Sequence, residues 1–442
     1  MKSSAVSIVI LLFLIALSIF PAPGELDLIW GPSPLENDDI AYSFWLVWYL
    51  GEHVEDLVSN PREALKTDLL FYPEGFDIYL ETPNIMGPLL SILPVGVFGF
   101  PLGVNILVLV LVLANALAAW WFLRRLGIGP WPSLTGALMF SMNPFVADQI
   151  VYYRFEHIIL FFIPLFIINF IRMLHGSRKH TVITVLFYLL ICLNDWFHGI
   201  FMALFGLAVV GRALWSARSS QRMDWKLVLK YRFIPFCLLV TSCLLPFLFP
   251  FGEKLLHGEQ VFGLSLDSGL RLSAASQQTA GSGQFIETVG SQGILDIIPP
   301  MYLVLVVVFL ILSLRHWRKT GFWVGVGCCF YLLALGRKLS LWPGRLEIPL
   351  PFLVLEWLIP PLSRLSQTIR FLPFCLIAWA VAIGKGQELF LARLKNQWSR
   401  IAVVAVTVLL LFAFSYSRQM LSRNPAPKEP GYQNLLTGSP SG

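Results

Sequence analysis

Residues 84–100 read NIMGPLLSILPVGVFGF, and residues 102–122 read LGVNILVLVLVLANALAAWWF. Both stretches are apolar, but only the second is unbroken. A helix gains about 1.5 Å per residue, so roughly 20 apolar residues are needed to cross a hydrocarbon layer of about 30 Å. Residues 102–122 meet that length. Residues 84–100 are interrupted by Gly87, Pro88, Pro94, Gly96 and Gly99. Whether they cross sets the side of every segment that follows.

Charge resolves the choice, because Lys and Arg concentrate in cytoplasmic loops. If 84–100 does not cross, one side collects Lys2, Arg124-Arg125, Arg172, Arg178-Lys179, the basic residues of 212–232, those of 315–319, and Lys385, Arg393, Lys395 and Arg400. That is 19 of 32 basic residues, accompanied by only Asp224 and Glu388 among the acids. Counting 84–100 as a span would move Arg178, Lys179 and the 315–319 cluster outside. Residues 84–100 are therefore read as lying in the outer interface or re-entering it. Further apolar runs cover 5–20, 133–149, 158–174, 181–197, 200–215, 233–250, 297–314, 321–336, 370–384 and 401–417. The first, between Lys2 and Pro21-Ala22-Pro23-Gly24, is read as a retained helix rather than a cleaved signal.

The expected fold is all-α: a polytopic bundle of about 11 spans, N-terminus inside and C-terminus outside. It forms one domain over 1–417, with juxtamembrane helices in a first outer loop at 21–101 and a disordered tail at 418–442. Composition agrees. Of 442 residues, 56% are hydrophobic and 13% charged, against about 45–50% and about 25% in soluble domains. That excludes a disordered or collagen-like chain and nearly any soluble enzyme. The net charge of +6 follows membrane topology, so no nucleic-acid partner is indicated. All six cysteines (Cys192, Cys237, Cys243, Cys328, Cys329, Cys375) lie in apolar runs and read as small buried hydrophobes. The seven histidines do not pair at metal spacing. Walker A, HExxH, GxSxG and a Rossmann fingerprint are absent.

The outer side holds the candidates for chemistry. Residues 21–83 carry 13 of the 26 acidic residues against Arg62 and Lys66, a net −11. Within them Glu36-Asn37-Asp38-Asp39 precedes an amphipathic helix with Tyr42, Trp45, Trp48 and Tyr49 on one stripe, spacing that suits the headgroup layer. Asp38 and Asp39 could accept a hydroxyl proton or hold a divalent cation, magnesium or manganese, through oxygen ligands. The plainer reading is that Asn37 or Asp38 caps the helix. Residues 67–83 contain a Pro-x-Gly turn. Asp148 closes the third span, and Arg154-Phe155-Glu156-His157 opens the fourth, as a second acidic site or as interfacial solvation. Asn194–Gly199 is a tight turn in which Asp195 reads as a cap. Residues 264–293, rich in Ser, Gly and Gln, read as a lid or a connector. Arg337, Lys338, Arg345, Arg364 and Arg370 lie outside against the topology rule. An anionic ligand held by arginine forks explains them, as does pairing with the acidic first loop.

Taken in order, these pieces resemble the GT-C superfamily of polyprenyl-phosphate-dependent membrane glycosyltransferases, which includes aminoarabinose and protein O-mannosyl transferases. The resemblance rests on Asn37-Asp38-Asp39 with Trp45 and Trp48, and on Leu70-Phe71-Tyr72-Pro73-Glu74-Gly75. It continues through Asn105, Arg124-Arg125-Leu126-Gly127, Asn143-Pro144-Phe145, Glu156-His157 and Pro164-Leu165 to Ile348-Pro349-Leu350-Pro351 and Ile369-Arg370-Phe371. It implies that the catalytic or metal-binding carboxylate is Asp38 or Asp39, with Asp148 as the second acidic position. It implies substrate contacts at Tyr72, Glu81, Glu156, His157, Arg337, Arg364 and Arg370. The activity implied is inverting transfer of a sugar from a polyprenyl-phosphate donor to a glycan, lipid or protein acceptor, at the extracytoplasmic face of the cytoplasmic (inner) membrane. The chain shows no large soluble C-terminal domain, unlike oligosaccharyltransferase-like members. The alternative is a transporter or flippase for a lipid-linked or anionic solute, which would place buried charge inside spans.

Overall fold

The computed structural model describes residues 2–19, 38–69, 75–78, 85–176, 179–220, 225–256, 300–314, 317–342, 346–359, 362, 365 and 368–422. Most are helical. In chain order the helices are α1 (Lys2–Ile19), α2 (Asp38–Glu52), α3 (Val54–Ser59), α4 (Pro61–Ala64), α5 (Met86–Phe98), α6 (Leu102–Arg125), α7 (Pro130–Ser141), α8 (Pro144–Val151), α9 (Phe155–Ile158) and α10 (Phe162–Leu174). They continue as α11 (Lys179–Asn194), α12 (Trp196–Ser220), α13 (Trp225–Val228), α14 (Ile234–Leu256), α15 (Pro300–Leu314), α16 (Trp317–Ala334), α17 (Pro351–Leu358), α18 (Leu372–Arg393) and α19 (Gln397–Ser422). A π-helical turn at Leu229–Phe233 joins α13 to α14, and a 3-10 turn at Thr368–Phe371 leads into α18.

Among the described residues, four helices are long and apolar enough to cross a membrane: Leu102–Arg125, Trp196–Ser216, Leu229–Pro246 and Thr368–Arg393. Large side chains such as Phe13, Leu93, Leu245 and Trp398 stand exposed on helix surfaces. Apolar exposure on that scale suits contact with lipid rather than water. The helix over 84–100 covers Met86–Phe98, 13 residues and about 20 Å at 1.5 Å per residue, the same length as α10.

Several expected boundaries move. The run 133–149, read as one span, is two helices. Asn143 breaks it by accepting a hydrogen bond from the Val146 backbone N–H at 3.1 Å, with Pro144 as the first helical residue, an N-terminal signature inside an apolar run. Of the run 158–174, Phe162–Leu174 form α10, and the run's first residue, Ile158, ends α9. The all-α expectation needs correcting for two small antiparallel ribbons. One pairs β1 (Lys66–Thr67) with β2 (Phe76–Asp77), in register Lys66 with Asp77. The other pairs β3 (Lys338–Trp342) with β4 (Leu346–Pro349), in register Lys338 with Pro349. Helix α19 extends to Ser422, past the expected start of the tail at 418; residues 423–442 and 264–293 lie outside the described residues. Cys192 and Cys375 are buried as expected, whereas Cys328 and Cys329 are exposed.

The core is built around α18, whose residues Leu372–Gly384 are all buried. It packs against α7, α15 and α16. Close approach to α15 depends on Gly386, where a Cβ would lie 2.3 Å from the Phe309 carbonyl oxygen. Small residues at such crossings let backbones meet without the side-chain clash that would hold them apart.

The first loop packs on both sides of α2. Ile40, Phe44 and Val47 join the main core, with the Phe44 ring 4.8 Å from that of Tyr153. Leu46, Tyr49 and Leu50 join a smaller cluster with Ile78. Of the aromatic stripe Tyr49 is buried, and Tyr42 and Trp45 are half-buried against this cluster. Tyr42, Trp45 and Tyr49 stack in series, and the Tyr49 hydroxyl donates to the Lys66 carbonyl at 3.0 Å. Trp48, 37% exposed, keeps the outward position.

Candidate functional site

Helix α9 is a single turn, too short to hold itself, and the surrounding sequence fixes it from several directions. Asn115 on α6 donates to the Ile158 carbonyl at 2.7 Å and accepts from the Leu160 N–H at 3.0 Å. Asn194, ending α11, donates to the Glu156 carbonyl at 2.7 Å. The Tyr153 hydroxyl donates to Asn105 Oδ1 at 3.0 Å. Tyr153 itself sits at φ 50, a left-handed conformation costing about 1–3 kcal/mol in a non-glycine residue. Gly87 on α5 lies directly against Phe155, because a Cβ there would come within 2.1 Å of the Phe155 Cβ.

This seating presents Glu156 and His157 to the N-terminal ends of α12 and α18, where five polar side chains converge. Asp195 is the hub. Its Oδ1 accepts from the Phe197 N–H at 2.8 Å, the capping role expected from sequence. Its Oδ2 faces His157 Nδ1 at 3.5 Å, His198 Nδ1 at 3.5 Å and Arg370 Nη1 at 4.0 Å. Glu156 Oε1 lies 3.7 Å from His157 Nε2. His157, Asp195 and His198 each offer a ligand atom within 4.8 Å of the others. Phe145 and Phe374 flank the imidazoles, and Arg370 lies over the Phe197 ring.

The cluster is buried and polar at once. Burial pushes the Glu156 carboxyl up to about 7; Arg370 and Arg154 oppose the rise and Asp195 adds to it. Burial also holds His157 well below its usual value, assisted by the positive charge of Arg370. Both nitrogens of His157, Asp195 Oδ2, His198 Nε2 and Arg370 Nε have no hydrogen-bond partner among the protein's own described atoms.

An apolar groove is separated from this cluster by a layer of phenylalanine rings, with Phe374 between His198 and the groove residue Phe330. Its volume is about 960 Å³, and Leu204, Phe322, Phe330, Leu350, Pro351 and Leu355 are among the residues that line it. Phe330 also packs 6.0 Å from Phe371, the residue after Arg370. Helix α17 is held along the groove by Arg337, whose fork engages Glu356 at 2.9 and 2.5 Å.

Of the residues singled out by sequence, Glu156, His157 and Arg370 come together here. Arg337 is committed to Glu356, a partner other than the acidic first loop. Asp148 is half-buried on α8, upstream of the cluster. Asp38 and Asp39 open α2, but their side chains lie outside the described residues, as do Tyr72, Glu81 and Arg364. The sequence reading missed His198 and gave Asp195 only a cap. Asp195 and His198 are three apart, which places both on one face of α12, and that spacing was the available signal. Nothing local connects them to His157. No family model matches the chain, and no curated protein or solved structure is recognisably similar to it.

Proposed function

We propose that the chain is a membrane glycosyltransferase. It moves a sugar from a polyprenyl-phosphate donor to a hydroxyl of an extracytoplasmic glycan, lipid or protein acceptor, with inversion at the anomeric carbon. The observation that carries this reading is that two unlike surfaces lie on either side of one phenylalanine layer: the buried polar cluster at Arg370, and the apolar groove that shares the Phe330–Phe371 contact with it. A polyprenyl phosphate matches both. Its chain is apolar and its single headgroup is an anion. The guanidinium of Arg370 suits that anion, and the N-termini of α12 and α18 add partial positive charge.

In the reaction the acceptor hydroxyl gives its proton to a carboxylate, Asp38 or Asp39 at the start of α2. The acceptor oxygen bonds to the anomeric carbon on the face opposite the phosphate. The carbon–oxygen bond to phosphate breaks and its electron pair leaves with the phosphate. Arg370 meets the charge that grows on the departing oxygen, the kind of preorganised stabilisation that supplies most of many rate enhancements. Glu156 and His157 line the headgroup end and contact the sugar. In this reading the shorter apolar helices complete a bundle of about 11 spans in the inner membrane, N-terminus in the cytoplasm. A cysteine at Ser177 then labels only from the cytoplasmic side; labelling from outside reverses the topology.

Asp195 and His198 are ionisable groups buried among helices, the observation that favours a transporter. Chemistry separates the two. Membranes carrying wild type or Arg370→Ala are given polyprenyl-phosphate hexoses and pentoses labelled in the sugar. Label in acceptors together with released polyprenyl phosphate, lost in the variant, supports transfer. Donor that crosses vesicles intact, with no bond broken, contradicts it.

A further inference from the structure

We propose that His157, Asp195 and His198 form a three-ligand site for a zinc-class divalent cation, with an open coordination position facing Arg370. Three observations converge on it. The first is spacing. Asp195 Oδ2 stands 3.5 Å from both His157 Nδ1 and His198 Nδ1, too far for a hydrogen bond, whose usual range is about 2.7–3.2 Å. The edge of a tetrahedron with metal–ligand bonds of about 2.0–2.1 Å is roughly 3.3–3.4 Å. An octahedral set with the same bonds would have adjacent edges of only about 2.9 Å, so the wider spacing favours tetrahedral zinc.

The second is unmet bonding. His157 leaves both ring nitrogens without a partner, and Asp195 Oδ2 and His198 Nε2 are also orphaned. The side chains are 1%, 5% and 2% exposed, respectively for His157, Asp195 and His198. Each orphaned buried group carries a desolvation penalty with no bond to offset it, and folded proteins leave few of them. Of these, Asp195 Oδ2 and His157 Nδ1 face one another, and with His198 Nδ1 beside the same carboxylate oxygen they define a place for a bound species. The third is donor chemistry. Two imidazoles and a carboxylate with a fourth position open are the ligand set of catalytic zinc, whereas magnesium prefers oxygen alone.

The surrounding contacts hold the ligands as a metal site requires. Asp195 is oriented by the Phe197 N–H on its other oxygen, and Asn194 fixes the backbone just before His157. Arg370, 4.0 Å from the same carboxylate, would repel a lone cation. It becomes favourable when the open position holds an anion that touches both positive centres. A phosphate oxygen does so, and this part rests on the glycosyltransferase reading; the metal site does not. The cation thus moves to the histidine cluster from Asp38 and Asp39, where the sequence reading placed it.

The test uses the full chain purified in detergent, stripped with chelator and reloaded with zinc or cobalt(II). The expected result is one equivalent per chain and a visible cobalt spectrum of tetrahedral intensity. His157→Gln and His198→Gln should each weaken binding by more than the roughly 10–100-fold that loss of a supporting group costs. His53→Gln, outside the cluster, should not. Size-exclusion elution of each metal-free variant establishes that it is folded. Substoichiometric zinc in the wild type, a His157→Gln/His198→Gln double variant that binds as wild type, or a preference for magnesium over zinc each overturns the site. Inorganic phosphate should change the cobalt spectrum, and Arg370→Ala should remove that response without changing stoichiometry. A loaded site indifferent to phosphate overturns the open position, while sugar transfer is decided separately by the donor assay.

Discussion

The central helix α18 carries ionic groups near both ends, and the two arrangements differ in kind. Near its C-terminal end Lys385 pairs with Glu388 at 2.6 Å and also donates to the Gly127 carbonyl at 2.8 Å. Glu388 uses its other oxygen to accept from the Gly129 N–H at 3.1 Å. Both oxygens of the carboxylate are used, and the network ties α18 to the turn between α6 and α7. At the N-terminal end His157, His198 and Arg370 each lie 3.5–4.0 Å from Asp195 Oδ2, and several of these atoms have no protein partner. The first arrangement behaves as a fastening. The second leaves buried polar atoms without protein partners, which a purely structural network would pair.

The predictions separate these two ends. The largest effect concerns the proposed base. Asp38→Asn and Asp39→Asn keep a helix cap, because Asn caps as well as Asp. Loss of a general base nevertheless costs about 10²–10⁴-fold in rate. One of the two should lose transfer to that degree at unchanged protein level, measured with labelled donor in membranes. Full activity in both would remove the carboxylate mechanism. Next comes Asp195→Ala. It strands two imidazoles and a guanidinium around a lost charge, and breaking a buried ion pair costs about 3–5 kcal/mol. Thermal unfolding in detergent should show a clear drop.

Gly87→Ala follows. Its methyl would overlap Phe155 at 2.1 Å, and overpacking typically costs about 1–3 kcal/mol. It should also lower transfer by displacing α9. A variant with wild-type stability and activity would mean that α9 is not seated as described. The smallest effect belongs to the fastening. Glu388 is 38% exposed, so its ion pair contributes no more than about 1 kcal/mol. Glu388→Gln should shift unfolding slightly and leave transfer intact.

Sequence showed the elements that announce themselves locally. The unbroken run at 102–122 is α6, one of the helices long and apolar enough to cross a membrane, and the interrupted run 84–100 holds the shorter α5. Glu156, His157 and Arg370 were identified because polar residues stand out at the ends of apolar runs. The site's hub was harder to read. Asp195 performs a cap with one oxygen and a long-range role with the other, and only the first has a sequence signature. His157 and His198 meet through helix packing, which residue spacing does not report. The break at Asn143-Pro144 carries a local cap motif, but it stands inside an apolar run whose length reads as one span. The ribbons were missed because two to five residues are too few to show a strand period. The aromatic stripe of α2 was correctly seen as amphipathic. Its partner, the cluster around Ile78, lay in a loop with no pattern to announce it.

The most direct test of the distinction between the two ends is a paired transfer assay of Asp195→Asn and Glu388→Gln, normalised to protein level. Each replaces a carboxylate by its amide at nearly constant volume, and the new amide oxygen at 195 can still accept from the Phe197 N–H. The account predicts that Asp195→Asn loses transfer by at least about tenfold, the lower bound for losing even an outer-shell partner of a metal such as the one proposed, while Glu388→Gln matches wild type. Full transfer by Asp195→Asn, or an equal loss in Glu388→Gln, would contradict it.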